Sequence, residues 1–275
     1  MGKVTLGLAS PHNPNITSRP EKISVEVQSK LDSAFARLRR QLSEASPDCL
    51  LILTSDHVTN FFYNNAPMFC LGVSDTCSGP APKEMAELRI PRVTLKVETT
   101  MAEGLLHYGI DSGIDFSYSR EMILDHAFMV PLSLLTPHMD LPIVPLHING
   151  MLPPRPTAAR CYRLGQALRR AVESHAGDLK VAILGTGGMS HQLQGKRFGY
   201  MNEAFDQWFL DRLEQDPEAL VEITHHRIME QAGAEAVELI MWLTMRGALP
   251  LTAKRVHRHY YAPMTTGMGL ITLEG

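Results

Sequence analysis

The order of apolar and polar positions divides the chain into short apolar runs and longer periodic segments. The short runs are rich in Val, Ile and Leu and have the length of strands buried within a sheet. They predict strands at Val4–Ala9, Cys49–Thr54, Met68–Val73, Leu141–Leu146 and Lys180–Leu184, with a further possible strand at Gly269–Leu273.

The longer segments repeat apolar residues every three or four positions, which is the period of one helix face. Proline clusters at 80–82 and 153–156 indicate loops, and the second of them precedes a predicted helix. Strands that alternate with helices favour an α/β fold, with a largely parallel or mixed central sheet flanked by helices. We expect a single domain over residues 1–275, because no repeat, low-complexity tract or linker divides the chain. The predicted helices are Ile23–Leu42, Ala158–Ser174, Glu203–Leu213 and Ala234–Leu249.

Composition and charge exclude several classes of function. The chain has 275 residues, with 26 basic and 29 acidic side chains and a formal charge of −3. This balance gives no sign of a nucleic-acid or anionic-membrane partner. The N-terminus lacks the long apolar segment of a signal peptide, and no run of about 18 apolar residues predicts a membrane span. The four cysteines form no CxxC pair and indicate reduced, buried thiols, so we expect a cytoplasmic protein.

Three histidines come just after predicted strands. His12 follows VTLGLASP, His57 follows LLILTSD, and His191 follows VAILGTGGMS. Each should emerge at the carboxyl end of a strand, which is the edge where open α/β sheets bind ligands. A single loop histidine is as easily structural as functional, but three at one edge indicate a site.

One carboxylate, Glu238, lies within AEAVELIMWLTM, a segment that is apolar on nearly every face. An unpaired buried carboxylate is very costly, so Glu238 needs a cation, hydrogen bonds or solvent. Capping a neighbouring loop or pairing with Arg246, two helical turns further on, is one solution, and a bound metal is another. Two imidazoles and one carboxylate are the ligands of Fe(II) oxygenases, but the same set can hold catalytic zinc. The ligand types therefore leave both metals open.

A fourth candidate, His126, stands beside Asp125 in LDHAFMVPL, and its alternative is a structural histidine at a helix start. Asp56 and Asp125 each precede a histidine, and an aspartate can orient an imidazole through its second nitrogen. GTGGMSHQL lacks the spacing of a nucleotide-binding loop, and we expect its glycines to turn the backbone and deliver His191. Surface or structural roles are expected for His107, His138, His147 and His175, and metal binding is not expected at His225–His226 or His257 and His259.

These segments resemble the class III extradiol ring-cleavage dioxygenases, in particular catalytic beta subunits of the protocatechuate 4,5-dioxygenase type. The resemblance is carried by SPHNP, SDH, LDHAFMVPL, PTAARCYRLGQALRRA, GTGGMSHQLQG and AEAVELIMWLTMRGAL. It implies that Fe(II) is bound by His12, His57 and Glu238. It further implies that His191 is the catalytic acid and base, and that His126 hydrogen-bonds the substrate or oxygen and assists proton transfer.

The resemblance also implies a reaction and partners. Both atoms of dioxygen would enter a catechol-like ring next to its diol, with protocatechuate, gallate, methylgallate or dihydroxypyridine rings as candidate substrates. A homo-oligomer or a complex with a small helical subunit is expected, because 275 residues leave no room for that subunit as a fused domain. Asn13 and residues 60–65 are expected to border the pocket. The alternatives are a zinc-dependent hydrolase on the same scaffold, with His191 as base, and a binding protein without catalysis.

Overall fold

Buried apolar runs form the central strands of the structure, a computed structural model that describes residues 1–18, 21, 23–263 and 265–275. All of the predicted strands are present, with ends that differ by at most two residues from the predicted bounds. The strands are β1 (Lys3–Ser10), β2 (Cys49–Thr54), β3 (Phe69–Gly72), β4 (Thr76–Gly79), β5 (Val93–Lys96), β6 (Ser117–Ser119), β7 (Ile143–Ile148), β8 (Lys180–Thr186), β9 (Lys254–Tyr261) and β10 (Met268–Glu274).

Within the described ranges, eight strands form one sheet in the order β6-β3-β7-β2-β8-β1-β10-β9. Strands β1, β8, β2 and β7 run parallel, so their carboxyl ends meet at one edge of the sheet. Strands β10 and β3 join this parallel centre in antiparallel orientation. The pair β4 and β5 forms a separate antiparallel sheet. The expected α/β fold with a largely parallel or mixed central sheet is therefore confirmed.

Helices flank this sheet, and capping side chains set where several of them begin. Ser24 accepts a hydrogen bond from the backbone N–H of Val27, so the first long helix begins after Ser24 and not at the predicted Ile23. Thr157 caps the helix that follows the second proline cluster. The α-helices are α1 (Asn15–Ser18), α2 (Val25–Ala45), α3 (Met85–Leu88), α4 (Thr99–Asp111), α5 (His126–Leu135), α6 (Ala158–Ser174), α7 (Glu203–Gln215), α8 (His225–Ala232) and α9 (Leu239–Gly247).

The predicted helix over Ala234–Leu249 is wrong in its first part. Residues Ala234–Glu238 form a tighter 3-10 helix, and only then does α9 begin. Gly233, just before this turn, approaches the carbonyl oxygen of His191 so closely that a Cβ would lie 2.0 Å from it. Glu238 therefore lies at the junction of two helices, next to the loop that follows β8, and not in the middle of one helix.

Strand β9 was not predicted, because its sequence KRVHRHYY lacks an apolar face. It pairs with β10 at the end of the sheet, where charged side chains are usual because they discourage pairing with other chains. All four cysteines are buried as free thiols. Among the described residues, no helix is long and apolar enough to cross a membrane.

Candidate active site

The carboxyl ends of β1, β2 and β8 bring His12, His57 and His191 to one cavity of about 350 Å³. His126, the first residue of α5, and Glu238 line the same cavity. All five candidates from the sequence therefore meet at one place, although their roles stay predictions. A larger cavity of about 580 Å³, between α2 and the segment after α5, contains none of these side chains.

The candidate metal ligands converge on Glu238, whose side chain is almost fully buried. Its Oε1 atom lies 3.1 Å from Nε2 of His12 and 3.1 Å from Nε2 of His57. Its Oε2 atom accepts a hydrogen bond from the backbone N–H of Gly188. Oε1, in contrast, has no hydrogen-bond partner among the described residues. A buried carboxylate oxygen that faces two imidazole nitrogens without a hydrogen bond is a donor set suited to a divalent cation.

Burial and charge oppose one another at these three side chains. Burial lowers the pKa of His12, and Glu238 offsets this only in part. Burial also acts to lower the pKa of His57, but Asp125 and Glu238 outweigh it and raise that pKa to about 10. For Glu238, burial acts to raise the pKa, whereas His12 and His57 hold it well below its ordinary value. Glu238 is therefore ionised. The carboxylates of Asp125 and Glu238 together favour a positive charge at His57, which lies between them.

The hydroxyl of Thr186 contacts Nδ1 of His12, on the side of the ring away from Glu238. This contact determines which ring nitrogen carries the hydrogen and which carries the lone pair. Oγ1 of Thr186 lies 3.0 Å from Nδ1 of His12, and the same hydroxyl donates toward Thr54 or the carbonyl of Ala127. Because a hydroxyl has one hydrogen, it accepts from the Nδ1–H of His12. The lone pair of His12 is then on Nε2, which is the state that a metal ligand requires.

Asp125 connects His57 to the start of α5. One carboxylate oxygen accepts a hydrogen bond from the backbone N–H of His57 at 2.8 Å and lies 3.4 Å from its ring Nδ1. The other oxygen accepts from the backbone N–H of Ala127 and so caps α5. A carboxylate behind a metal-binding imidazole orients the ring, and here it also joins the loop after β2 to a helix.

His126 offers a second possible ligand set. Its ring centroid lies 4.2 Å from that of His57 and 5.6 Å from that of His12. Ligand atoms of these three histidines lie within 4.8 Å of one another, so His126 could replace Glu238 as the third ligand. The ring nitrogen Nδ1 of His126 is 2.7 Å from a carboxylate oxygen of Glu84. Glu238, with its unpartnered buried oxygen, has the stronger need for a cation.

His191 is held in one tautomer by the loop that carries it. Its Nδ1 lies 2.7 Å from the carbonyl oxygen of Met189, and because a carbonyl only accepts, Nδ1 carries the hydrogen. Nε2 is left as a proton acceptor on a buried ring that lines the cavity. Gly188 packs against this ring, since a Cβ there would lie 2.7 Å from Cε1 of His191. The glycine-rich loop therefore delivers His191, as the sequence predicted.

A buried carboxylate, Asp206, supports the same loop from α7. It accepts hydrogen bonds from the backbone N–H and the hydroxyl of Ser190 at 2.9 and 2.6 Å, and from the hydroxyl of Tyr260 at 2.9 Å. Burial raises the pKa of Asp206 to about 6, although the hydrogen bonds from Ser190 and Tyr260 act in the opposite direction. The residue before His191 is thus tied to a carboxyl group that titrates in mildly acidic solution.

We expect Asp206→Asn to remove part of the pH dependence of stability. The ordinary pKa of Asp206 is 3.8 and its folded value is about 6, so between these values the folded state holds more protons than the unfolded state. By linkage, the free energy of unfolding of the wild type falls as pH rises through this range, by on the order of 2 to 3 kcal/mol from this group. Urea unfolding of both metal-free proteins at pH 4, 5, 6 and 7 measures this. The wild-type curve should fall relative to the variant, and parallel curves would contradict the assignment.

The structure corrects several expectations about individual contacts. The aspartates do not contact the histidines beside them in sequence: Asp56 accepts hydrogen bonds from the loop at residues 59–61, while the carboxylate of Asp125 lies 3.4 Å from Nδ1 of His57. Arg246 donates to the carbonyls of residues 213, 250 and 251, so the alternative of a pairing with Glu238 is not the one the structure shows. The contact of Asp125 with His57 and that of Arg246 with the carbonyl of Leu213 join segments 68 and 33 residues apart, which a local reading of the sequence cannot bring together.

At the border of the cavity, Asn13 is present as expected, whereas residues 60–65 are not among the described lining residues. His147 is buried and structural, and its Nδ1 accepts a hydrogen bond from the backbone N–H of Asp56. The sequence reasoning missed Glu84, Thr186 and Asp206. Thr186 ends strand β8 and was a recognisable candidate, but Glu84 and Asp206 had no local signal.

Comparison with known proteins identifies relatives of this chain. Residues 6–271 match the family model described as "Catalytic LigB subunit of aromatic ring-opening dioxygenase". A gallate dioxygenase of Pseudomonas putida is 47% identical over 163 residues, which cover 58% of this chain and 48% of that protein. A 2,3-dihydroxyphenylpropionate/2,3-dihydroxicinnamic acid 1,2-dioxygenase of Klebsiella pneumoniae is 36% identical over 167 residues, covering 60% of this chain and 50% of that protein. The chain thus spans about half the length of the curated relatives it matches.

One solved structure resembles the whole fold. The crystal structure of an uncharacterized protein from Escherichia coli K12 superposes with a TM-score of 0.66 and covers 98% of this chain and 99% of that chain. The sequences are 14% identical, so this likeness concerns the fold alone.

Proposed function

Because this chain belongs to the family of catalytic LigB subunits of aromatic ring-opening dioxygenases, we propose that it opens a catechol-like ring next to the diol, using Fe(II) and dioxygen. The observation that carries the proposal is Oε1 of Glu238, which has no hydrogen-bond partner within the described part of the chain and lies 3.1 Å from Nε2 of both His12 and His57. Two imidazoles and one carboxylate are the facial ligand set of non-haem Fe(II) oxygenases. We infer that these three side chains bind the iron.

The bound iron would supply a Lewis acid that can hold the two diol oxygens and dioxygen at open coordination positions. The protein would contribute a cavity of about 350 Å³, within the range of sites for small molecules. Its lining combines the proposed metal ligands with His126, His191 and Thr266. A single substituted ring is the substrate class that this space favours.

His191 would move the protons of the reaction. Because Met189 fixes the hydrogen on Nδ1, the Nε2 atom of His191 can accept a proton from a diol hydroxyl and later return it to an oxygen of the product. The buried position of the ring limits exchange of that proton with water. His126 would form a hydrogen bond with the substrate or with oxygen and assist proton transfer.

We also propose that residues 1–275 form one catalytic domain, which the eight-stranded sheet supports because it includes both the first strand, β1, and the last, β10. The two dioxygenases named above are about twice as long as the region that matches this chain. The match therefore does not extend to the other half of either relative. We keep a homo-oligomer or a complex with a small helical subunit as the proposed assembly, with the aromatic diol and dioxygen as substrates.

The first test is oxygen uptake by protein loaded anaerobically with Fe(II), over a panel of catechols, protocatechuate, gallates and dihydroxypyridines. We expect one molecule of oxygen consumed per ring opened for at least one ring class, with the absorbance of a ring-opened product. Glu238→Gln treated in the same way is the matched control and should consume none. If iron is bound but no member of the panel is oxidised, the proposed reaction is wrong.

The metal and oxygen requirements of the reaction distinguish the dioxygenase from the alternative, a zinc-dependent hydrolase. No observation among the described residues of the site favours the hydrolase. A hydrolase would act with zinc in the absence of oxygen, whereas the proposed enzyme would require both iron and oxygen. Activity of the zinc-loaded protein under argon would therefore replace the present proposal.

A further inference from the structure

The short segment before α3 holds the start of α5 through one carboxylate. Glu84, in the 3-10 helix Pro82–Glu84, accepts a hydrogen bond from the backbone N–H of His126 at 2.8 Å with Oε2. Its Oε1 lies 2.7 Å from Nδ1 of the same histidine. Both side chains are largely buried, with 14% and 13% of their surface exposed. The two contacts fix the backbone and the ring of His126 together.

The adjacent Lys83 holds the neighbouring histidine loop. Its Nζ donates to the carbonyl oxygens of His57 and Val58 at 3.1 and 2.6 Å. Two successive residues of one turn thus contact both His57 and His126. This arrangement gives Glu84 a defined position relative to the cavity, because the turn that carries it is bonded to the loop of His57 as well as to His126.

The partner of Nδ1 decides the tautomer of His126. An ionised carboxylate only accepts hydrogen bonds, so Nδ1 carries the hydrogen that it donates to Glu84. A neutral ring then has its lone pair on Nε2, and no described residue bonds to that atom. His126 therefore offers the cavity a hydrogen-bond acceptor and not a donor.

We propose that Glu84 is a positioning residue that holds His126 in the Nδ1–H tautomer, so that Nε2 accepts a hydrogen bond from a hydroxyl of the bound diol. The assignment of the diol rests on the function proposed above. The hydrogen-bond geometry of Glu84 and His126 stands without it, and the two can be tested separately.

Glu84→Gln should reverse the tautomer without removing the contact. The backbone N–H of His126 can only donate, so the amide oxygen of the glutamine must face it. The amide NH₂ group is then turned toward Nδ1, which has to become the acceptor. The hydrogen of the neutral ring moves to Nε2, and His126 presents a donor to the cavity where the wild type presents an acceptor.

Long-range ¹H–¹⁵N correlation spectra of metal-free protein with labelled histidine show which ring nitrogen carries the hydrogen. The spectra of the neutral ring are compared between the proteins, and His126→Gln identifies its signals. We expect Nδ1–H in the wild type and in Glu121→Gln, which removes an exposed carboxylate five residues before His126. We expect Nε2–H in Glu84→Gln. Nε2–H in the wild type, or an unchanged tautomer in Glu84→Gln, would overturn the proposal.

The iron-loaded enzymes provide the second readout. Glu84→Gln should bind iron within a few-fold of the wild type and lose about 10- to 100-fold in kcat/KM, as is usual when the partner of an active-site histidine is changed. Glu121→Gln should match the wild type. A tautomer switch in the metal-free protein together with an inactive wild type would support the role of Glu84 and refute the proposed reaction. A switch without any loss of turnover in an active enzyme would overturn the link between Glu84 and substrate binding.

Discussion

Glu238→Gln is expected to weaken Fe(II) binding by at least about 100-fold, while leaving the metal-free protein folded. The loss should exceed the 10- to 100-fold that follows removal of groups behind metal ligands, because Glu238 itself faces both imidazoles at 3.1 Å. Glutamine keeps the volume of the side chain and an oxygen that can accept from Gly188. It removes the ionised oxygen that has no hydrogen-bond partner among the described residues.

Thermal and urea unfolding of anaerobic samples measure this effect without an activity assay. At a metal concentration 100 times its dissociation constant, the wild type should gain about 2.7 kcal/mol in free energy of unfolding. A variant that binds 100-fold more weakly gains only about 0.4 kcal/mol at the same concentration. Glu230→Gln, an exposed carboxylate on α8, is the matched control and should gain as much as the wild type.

His126→Ala separates the two possible ligand sets. If Glu238 is the third ligand, this variant should retain most of its affinity for iron, whereas Glu238→Gln should not. The reverse result would assign the metal to the three histidines whose ligand atoms lie within 4.8 Å of one another. Glu238 would then no longer support the proposed function as a metal ligand.

His191→Ala is expected to reduce kcat by about 100-fold or more, because general acid–base catalysis contributes on the order of 10²- to 10⁴-fold. Met189 fixes the Nδ1–H tautomer of His191, so the wild-type ring presents an acceptor to the cavity. Iron content and substrate binding should change little, since His191 belongs to neither possible ligand set. The variant thus separates a defect in proton transfer from a defect in metal binding.

Steady-state kinetics, iron analysis and anaerobic substrate titration test this prediction together. His107→Ala, which removes an exposed histidine of α4, should behave as the wild type. Partial recovery of His191→Ala by added imidazole would show that the missing group is the base. If His191→Ala instead loses iron in proportion to activity, the residue is part of the metal site and the assigned role is wrong.

Much of the scaffold was predictable because it depends on local patterns. Buried strands appear as apolar runs, and parallel strands align their carboxyl ends, so His12, His57 and His191 were expected at one edge of the sheet. The edge strand β9 escaped prediction because charged residues at a sheet edge carry no apolar alternation. The 3-10 turn before α9 also escaped prediction, and it follows the point where Gly233 approaches the loop of His191, a contact between segments far apart in sequence.

The sequence by itself determined the types of chemistry available: three histidines after strands, one carboxylate in an apolar segment, and glycines that allow a tight loop. Only the tertiary structure decided how carboxylates and imidazoles pair. Asp125 reaches His57 across 68 residues and Glu84 reaches His126 across 42 residues. The carboxylate of Asp56 does not contact His57, and the carboxylate of Asp125 does not contact His126, although each pair is adjacent in sequence. These pairings depend on packing between the loops after β2 and β4 and the start of α5, because hydrogen bonds of this kind require distances near 3 Å that no local pattern encodes.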